Sequence, residues 1–308
     1  MLIRTSLRAE RISARNASGV WLRVPSSRTG ESVCTRLVPT TSRPGSACSS
    51  AGQAARPASS SRTATLRAGR AAWPAELQAL PGRLVVGTSR VHTDSPVRDE
   101  ATRNHTPEAF RALMRSARSE VLISNAYVIP DDHFMQDLRE LAARGVRVRI
   151  LTNSLASHDV PAVNAHYEAF RLPILKTGAE LHEFRSDAAI RGELVDTAPV
   201  RSGFVGLHIK AMVIDRQRSF IGSMNLDPRS EVFNSEMGVV IDSAPLAEAL
   251  ARGIERDLGP DNSWRVQLAA DGSLRWSSAA GERGSAPARS VWQRVESFFF
   301  KLAPSSLY

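Results

Sequence analysis

Residues 208–225, HIKAMVIDRQRSFIGSMN, place polar side chains at fixed spacings between two short apolar runs. His208 and Lys210 are two residues apart, so on a β-strand they project from the same face. An imidazole can attack phosphorus and form a covalent phosphoramidate, which divides one difficult displacement into two easier ones. A neighbouring ammonium can stabilise the charge that develops on the non-bridging oxygens. The pair therefore predicts transfer chemistry at a phosphorus atom.

Further polar residues follow the pair at fixed spacings. Asp215 ends the first apolar run, and Ser223 and Asn225 follow Gly222 after the second. Ser223 adds a hydroxyl donor and Asn225 an amide that can stabilise developing charge. Asp215 stands next to a turn, which suits a supporting role better than attack. A lone His-x-Lys pair is usually a polar pair on an edge strand, but five matched positions favour a site.

The lysine of the pair is unusual for this chain. Of its 40 basic residues, only Lys176, Lys210 and Lys301 are lysines. Arginine holds a phosphate as firmly, whereas a compact ammonium reaches a crowded reacting centre as a point charge. A requirement for lysine at position 210 explains this, and chance is the alternative.

The pattern His-x-Lys-x₄-Asp followed by Gly-Ser-x-Asn resembles the signature of the phospholipase D superfamily. The longer phrases FIGSMNLDPRSEVFNSEMGVVID and RGVRVRILTNSLASHDVPAVNAHYEAFR are similar to the C-terminal half of bacterial cardiolipin synthases and related phosphatidyltransferases. This similarity begins at about residue 83 and continues to the C-terminus. The long phrases are far more specific than the short motif alone.

The resemblance implies an α/β/α sandwich with a mixed β-sheet and two such motifs around one site. The resemblance further implies that one histidine becomes phosphatidylated and the other serves as acid and base. A second alcohol is then expected to receive the phosphatidyl group, without a metal or another cofactor. The residues that match one motif, together with a recurring downstream acid, are His208, Lys210, Asp215, Ser223, Asn225 and Glu236.

Asn153 and Ser154 belong to the resembling phrase TNSLAS and are predicted to bind substrate. A polar cap between a strand and a loop is an equally good interpretation of this pair. Asn164 stands where the family more often has a histidine, so no role is carried over to it.

The chain contains one His-x-Lys pair, since none of its other six histidines has a lysine two positions later. General acid–base help is worth about 10²–10⁴-fold, so a single motif predicts a weak enzyme. Two arrangements would complete the site. Either a homodimer brings two copies of His208 together, or a missing N-terminal half supplies the second motif.

Residues 1–82 form a leader rich in Arg, Ser and Ala, without sustained helical or strand periodicity, and we predict disorder there. Three origins stay open: a transit-like leader, a flexible basic tail, or a frame-shifted or truncated region. We favour the frame-shifted origin because the composition changes abruptly near Trp73. Both cysteines, Cys34 and Cys48, lie in this leader, so they support no site elsewhere.

The positive charge of the chain is concentrated in the same part. The net charge is +9, yet residues 1–70 hold twelve arginines against Glu10 and Glu31. Residues 71–308 carry 28 basic and 29 acidic side chains. Binding to a nucleic-acid backbone needs concentrated positive charge, so nucleic acid is an unfavoured partner.

Strand and helix patterns alternate from residue 83 onward, which predicts an α/β layered fold with a mainly parallel or mixed sheet for residues 83–308. Strands are predicted at LVVGTS, EVLISNAYVI, VRVRILTNS, AELHEFR, KAMVID, SFIGS and EMGVVID. A helix capped by Thr106 precedes the second strand. The next begins at Asp131 and Asp132 and is ended by Gly145. A third helical stretch is interrupted by Pro173, and APLAEALARGIERDLG predicts another.

The C-terminal segment SVWQRVESFFFKLAPSSLY places apolar residues on one helical stripe: Val291, Trp292, Val295, Phe298, Phe299 and Leu302. Such a stripe usually docks on the core of its own domain, which we predict here. Contact with a bilayer surface is the alternative. His133 and His158 stand in different loops without further ligand spacing, so they predict surface histidines and no metal site.

We therefore hypothesise a phosphatidyltransferase of cardiolipin biosynthesis that acts through a phosphohistidine intermediate. The implied partners are phospholipids of the phosphatidylglycerol or phosphatidylethanolamine type and a membrane surface. The alternatives are a phospholipase D-type phosphodiesterase that hydrolyses lipid or nucleic acid, and an inactive half-site remnant. No run is long enough for a transmembrane helix. The resemblance favours a peripheral position at a bacterial inner membrane, or the cytoplasm.

Overall fold

A computed structural model describes residues 20–25, 32–37, 78, 81–95, 105–194 and 203–300. The predicted disorder of residues 1–82 falls mostly outside these ranges and stays a prediction there. At two places within the leader the structure has strands instead, β1 (Val20–Pro25) and β2 (Ser32–Leu37). They pair antiparallel, and β1 also pairs in parallel with β3 (Leu84–Val86). The β-branched and aromatic residues of VWLRVP favour such a strand.

Ten of the described strands form the main sheet, in the order β13-β12-β11-β7-β6-β5-β8-β9-β10-β4. Their bounds are β4 Thr88–Thr93, β5 Glu120–Asn125, β6 Arg147–Asn153, β7 Glu180–Phe184, β8 Lys210–Ile214, β9 Arg218–Gly222, β10 Met237–Asp242, β11 Ser263–Leu268, β12 Leu274–Ser278 and β13 Gly281–Arg283. Strands β5, β6 and β7 are parallel, and the other neighbouring pairs are antiparallel. The predicted mixed sheet is confirmed.

Seven α-helices are described: α1 His105–Arg115, α2 Asp132–Ala143, α3 Pro161–Tyr167, α4 Arg171–Lys176, α5 Arg191–Leu194, α6 Ala244–Leu258 and α7 Val291–Phe300. Helix α2 begins as predicted, since the Asp131 carboxylate accepts a hydrogen bond of 2.6 Å from the Phe134 N–H. It ends before Gly145, whose φ of 73° is in the left-handed region that glycine tolerates. The predicted interruption at Pro173 instead lies at the 3-10 turn Glu168–Phe170.

Alternate residues of the central strands enter two separate apolar cores. Val121 and Ile123 of β5 pack with residues of α1 to α4, whereas Leu122 between them packs with α6. Strand β8 repeats the pattern, with Met212 on the first face and Val213 on the second. Because successive side chains of a strand point to opposite faces, helices cover both sides of the sheet. The predicted α/β/α sandwich is confirmed.

Helix α7 packs in a way that the sequence did not predict. Four of its large apolar side chains are exposed, Val291 by 77%, Trp292 by 74%, Phe298 by 62% and Phe299 by 63%. The residues that face the protein are polar: Gln293 Nε2 donates 2.6 Å to the Leu155 carbonyl, and Ser297 Oγ donates 3.3 Å to the Glu168 carboxylate. The prediction that this stripe docks on the core is wrong for Val291, Trp292, Phe298 and Phe299. Val295 is half-buried, and Leu302 lies outside the described residues.

Candidate active site

His208 and Lys210 lie side by side where β8 begins. Lys210 is the first residue of the strand and is 7% exposed, whereas the His208 side chain is open to solvent. Lys210 Nζ lies 3.5 Å from His208 Nδ1 and donates a hydrogen bond of 2.9 Å to the His208 carbonyl. The two side chains therefore project together, with the imidazole accessible to a ligand and the ammonium held behind it.

Asn153, the last residue of β6, holds the backbone immediately before His208. Asn153 Nδ2 donates 2.9 Å to the Leu207 carbonyl, and its Oδ1 accepts 2.8 Å from the Leu207 N–H. At Gly206 a β-carbon would lie 2.3 Å from the Ser157 carbonyl oxygen, so this close approach requires glycine. These contacts fix the residues that lead into the His208 position.

Asn153 and Ser154, which were predicted to bind substrate, are almost completely buried. Ser154 Oγ donates 2.7 Å to the Phe184 carbonyl, and Asn153 serves Leu207. Buried polar groups with internal partners brace the surrounding backbone. Contact of this pair with substrate stays a prediction. The hydrogen bonds favour a role in supporting the backbone that leads into β8.

Ser223 and Glu236 meet at the end of β9. Ser223 Oγ donates to the Glu236 carboxylate and accepts 3.1 Å from the Met237 N–H. The other Glu236 oxygen accepts 3.0 Å from Asn234 Nδ2. A β-carbon on Gly222 would lie 2.5 Å from the Met237 carbonyl oxygen, so the close approach of β9 and β10 at this position requires glycine. The two motif residues thus share one hydrogen-bonded unit.

The backbone of Glu236 is held by two residues that lie much earlier in the sequence, Asp94 and Thr106. Asp94 accepts 3.1 Å from the Glu236 N–H and 2.9 Å from the Thr106 N–H. Thr106 Oγ1 donates 3.2 Å to the Glu236 carbonyl. Thr106 was predicted to cap a helix, but its hydroxyl supports the Glu236 backbone instead.

Asn225 carries a buried amide oxygen with no hydrogen-bond partner among the described residues. It lies on the loop after β9, where the preceding Met224 carbonyl accepts 3.2 Å from Asn125 Nδ2. Asn125 is the register partner of Lys210 across β5 and β8, so this loop adjoins the His208–Lys210 pair. A buried polar atom without a partner is costly, which favours a ligand as its missing partner.

Asp215 does not join these residues. It follows the far end of β8, about 16 Å along the strand from Lys210, and its carboxylate accepts from the backbone N–H groups of Arg118, Ser119 and Glu120. Burial raises the pKa of the Asp215 carboxyl, but these hydrogen bonds outweigh it, and the pKa is lowered. The structure therefore places Asp215 as a clamp on the strand, in line with its predicted supporting role and remote from any attacking atom.

The surroundings lower the pKa of both His208 and Lys210. Burial, followed by the Lys210 charge, lowers the pKa of His208 below its usual value. A neutral imidazole at pH 7 keeps a free lone pair for attack on phosphorus or for accepting a proton. Burial lowers the pKa of Lys210 to about 8, although Asp159, Glu236 and Asp227 act in the opposite direction.

Sequence reasoning missed Tyr127 and Asp159, which follow β5 and β6. The Tyr127 hydroxyl donates 2.8 Å to Asp159, and its ring lies beneath Lys210 Nζ at 5.9 Å from the ring centroid. His158 was predicted at the surface but is buried and stacks on Tyr127, with ring centroids 5.0 Å apart. The sequence could have indicated them, because both follow the carboxyl ends of predicted strands, and these ends lie at the same edge of the sheet as His208.

The described residues hold no group of three or more His, Cys, Asp or Glu side chains placed to bind a metal ion. Within the same ranges, no helix has both the length and the apolar composition needed to span a membrane.

Comparison with known proteins gives matches across the same region. Residues 110–258 match the family model described as "Cardiolipin synthase, PLD-like domain". Cardiolipin synthase C of Escherichia coli (strain K12) is 32% identical over 220 residues, which cover 69% of this chain and 46% of that protein. Cardiolipin synthase A of Buchnera aphidicola subsp. Schizaphis graminum (strain Sg) is 27% identical over 203 residues, 66% of this chain and 34% of that protein. The chain thus spans less than half the length of these relatives.

Among solved structures, the phospholipase D family member Nuc from Salmonella typhimurium aligns with a TM-score of 0.42 at 21% identity. The alignment covers 57% of this chain and 96% of that one. Family assignment comes from the sequence matches, which include the loop after β6, strand β8 and the residues around Ser223. Through residues 110–258, the chain belongs to the phospholipase D-like family that includes the cardiolipin synthases.

Proposed function

We propose that this chain carries half of the active site of a phosphatidyltransferase in cardiolipin-type phospholipid synthesis. The observation that supports this most is the solvent-open His208 imidazole beside the buried Lys210 ammonium. The donor is a phospholipid of the phosphatidylglycerol or phosphatidylethanolamine type. The acceptor is the hydroxyl of a second lipid alcohol.

The reaction proceeds in two displacements. In the first, an imidazole nitrogen attacks the donor phosphorus, an N–P bond forms, and the P–O bond to the leaving alcohol breaks as that oxygen takes a proton. In the second, the acceptor hydroxyl loses a proton and attacks phosphorus, and the N–P bond breaks. His208 fills either the nucleophilic role or the acid–base role, and the histidine of a second motif fills the other.

The neighbouring residues have separate tasks in this scheme. Lys210 opposes the charge on the non-bridging oxygens, and the Asn225 amide adds a polar contact at the same centre. Glu236 receives the Ser223 hydroxyl and so fixes the loop after β9. The second histidine comes from a second copy of the chain or from an N-terminal half that carries its own motif.

The products of the reaction test this proposal directly. The full chain, alone and combined with a motif-bearing N-terminal half of a relative, is incubated with phosphatidylglycerol vesicles, with and without added glycerol. Lipid mass spectrometry is expected to show cardiolipin, and exchange of the headgroup when glycerol is labelled. Phosphatidic acid as the sole product indicates hydrolysis with water as acceptor and contradicts the transfer. No lipid product in either assembly supports the inactive remnant instead.

We also propose that the exposed apolar side of α7 contacts a phospholipid bilayer. Trp292, Phe298 and Phe299 are the side chains that partition well into the interfacial region of a bilayer. Arg294 is exposed on the same helix and suits anionic headgroups. The helix also adjoins the site, because Arg289 just before it donates 3.2 Å to the His158 carbonyl. The ring of His158 stacks on Tyr127, so this contact links the segment before α7 to the residues beside Lys210.

Vesicle co-sedimentation checks this surface. Replacing Phe298 and Phe299 with serine is expected to weaken binding to phosphatidylglycerol vesicles by about tenfold or more, because two large apolar side chains no longer leave water. A matched control variant replaces Val91 and Leu268 with serine as well, since these are exposed apolar residues on β4 and β11. Equal losses in both variants, or a wild-type chain that does not sediment with vesicles, would contradict the proposal.

A further inference from the structure

Tyr127 connects Lys210 to a carboxylate. The Lys210 ammonium lies 5.9 Å from the centroid of the Tyr127 ring, a cation–π distance. The hydroxyl at the other end of that ring donates 2.8 Å to Asp159 Oδ1. One rigid side chain therefore sets the position of both a cation and an anion beside His208.

The Tyr127 ring is held in place from behind. His158 stacks on it with an angle of 11° between the rings, and His158 Nδ1 accepts 3.1 Å from the Val160 N–H. Burial lowers the pKa of His158 to about 4, so the backing ring is uncharged at neutral pH. The Arg289 hydrogen bond to the His158 carbonyl fixes this loop further. The stack supplies rigidity without adding a second positive charge near Lys210.

A buried ammonium needs negative charge nearby, and three carboxylates act on Lys210. Glu236 is already shared by Ser223 and Asn234. Asp227 is buried, accepts 2.7 Å from the Ser230 N–H, and has a pKa raised by burial. Asp159 is the most open of the three, with a side chain 30% exposed. The Tyr127 hydroxyl donates a hydrogen bond to one of its oxygens.

We infer that Tyr127 and Asp159 are positioning residues for Lys210, the ring by supporting the ammonium and the carboxylate by keeping it charged. Among the described residues, the titratable groups that act on or lie beside Lys210 are His208, Tyr127, Asp159, Glu236 and Asp227. The Asp159 carboxylate accepts from the Tyr127 hydroxyl at 2.8 Å and lies 3.8 Å from His158 Nδ1. The catalytic consequence rests on the proposed phosphatidyl transfer. The effect on the charge of Lys210 does not.

The small number of lysines makes this effect measurable without an activity assay. The full chain is labelled competitively with an amine-reactive reagent over a range of pH, and peptide mass spectrometry follows Lys210 against the exposed Lys176 in the same sample. Wild-type Lys210 is expected to become reactive with a midpoint near pH 8, where burial places its pKa. In Asp159→Asn the midpoint falls by up to about one pH unit, because an opposite charge that favoured the ammonium is removed.

Tyr127→Phe keeps the ring and removes the tether, so its midpoint falls in the same direction. Asp271→Asn makes the same chemical change on the exposed β11–β12 turn and leaves the midpoint unchanged. A Lys210 midpoint that stays near 8 in Asp159→Asn overturns the inference, and one that stays there in Tyr127→Phe overturns the tether.

Transfer activity gives an independent comparison. The ammonium is present below the Lys210 pKa and is lost as pH rises through it, so the basic limb of the activity profile moves to lower pH in both variants. A shifted labelling midpoint in a chain that performs no transfer keeps the inference and rejects the proposed function. A shifted midpoint with an unmoved basic limb overturns the link between Lys210 charge and transfer.

Discussion

Replacing His208 with alanine is expected to lower phosphatidyl transfer by at least about 10²–10⁴-fold, whichever histidine role it fills. The imidazole is solvent-open, so its removal leaves little packing to lose. Its strand is held independently, by Asn153 at one end and Asp215 at the other. The loss therefore reports chemistry rather than unfolding. Transfer is measured as labelled cardiolipin formed per unit time, with thermal unfolding recorded for the same samples.

The His208 variant also separates the two roles. If His208 is the nucleophile, trapping with labelled phosphatidylglycerol gives no phosphohistidine adduct on this chain in the variant. If it is the acid or base, an adduct forms on the histidine of the second motif and is slow to turn over. His133→Ala, an exposed histidine at the start of α2, is the matched control and should keep full activity. Retained transfer in His208→Ala would remove His208 from the mechanism.

The largest expected loss of stability comes from Glu183→Gln. Glu183 is fully buried and accepts from Tyr167 Oη at 3.0 Å, Arg171 Nε at 2.6 Å and Trp276 Nε1 at 2.9 Å. The Arg171 guanidinium lies 4.9 Å from the Tyr167 ring centroid and 5.4 Å from that of Trp276. Neutralising the carboxylate removes the closest counter-charge of a buried guanidinium and leaves the Glu168 carboxylate at 3.9 Å. Breaking such a pair typically costs about 3–5 kcal/mol.

Urea unfolding followed by tryptophan fluorescence measures this cost. Glu180→Gln is a matched control on the same strand, because Glu180 pairs with the exposed Arg265 at 3.7 Å. Exposed pairs contribute about 0–1 kcal/mol. A Glu183→Gln chain that is destabilised no more than Glu180→Gln would show that the Arg171 charge is solvated in the folded state.

The regular elements were predictable because local rules decide them. EVLISN carries the apolar run VLI and is a strand buried on both faces, the pattern of a central strand under two helical layers. Asp131 and Gly145 bound α2 because a capping carboxylate and a left-handed glycine act within a few residues. The grouping of His208 with Lys210 followed from their two-residue spacing.

The failures involve contacts between distant parts of the chain. The apolar stripe of α7 was visible in the sequence, but the choice of docking face depends on Gln293 reaching the Leu155 carbonyl. Local periodicity cannot reveal that partner. No strand was predicted between residues 262 and 290, yet this segment extends the sheet because β11 pairs with β7. Tyr127 and Asp159 are 32 residues apart and meet only when β5 and β6 lie side by side.

The position of Asp215 explains why the motif has a long, fixed gap. Its carboxylate accepts hydrogen bonds from three consecutive backbone N–H groups where β5 begins, and its φ of 50° reverses the chain immediately after β8. A strand anchored in this way cannot slide, and sliding by a single residue would turn Lys210 to the opposite side of the sheet. The four residues between Lys210 and Asp215 form the rest of β8, so their number fixes the distance between Lys210 and the anchored end of the strand. The Asp215 carboxylate thus helps to fix the position of the His208 imidazole from the far end of β8, without contacting the reacting atoms.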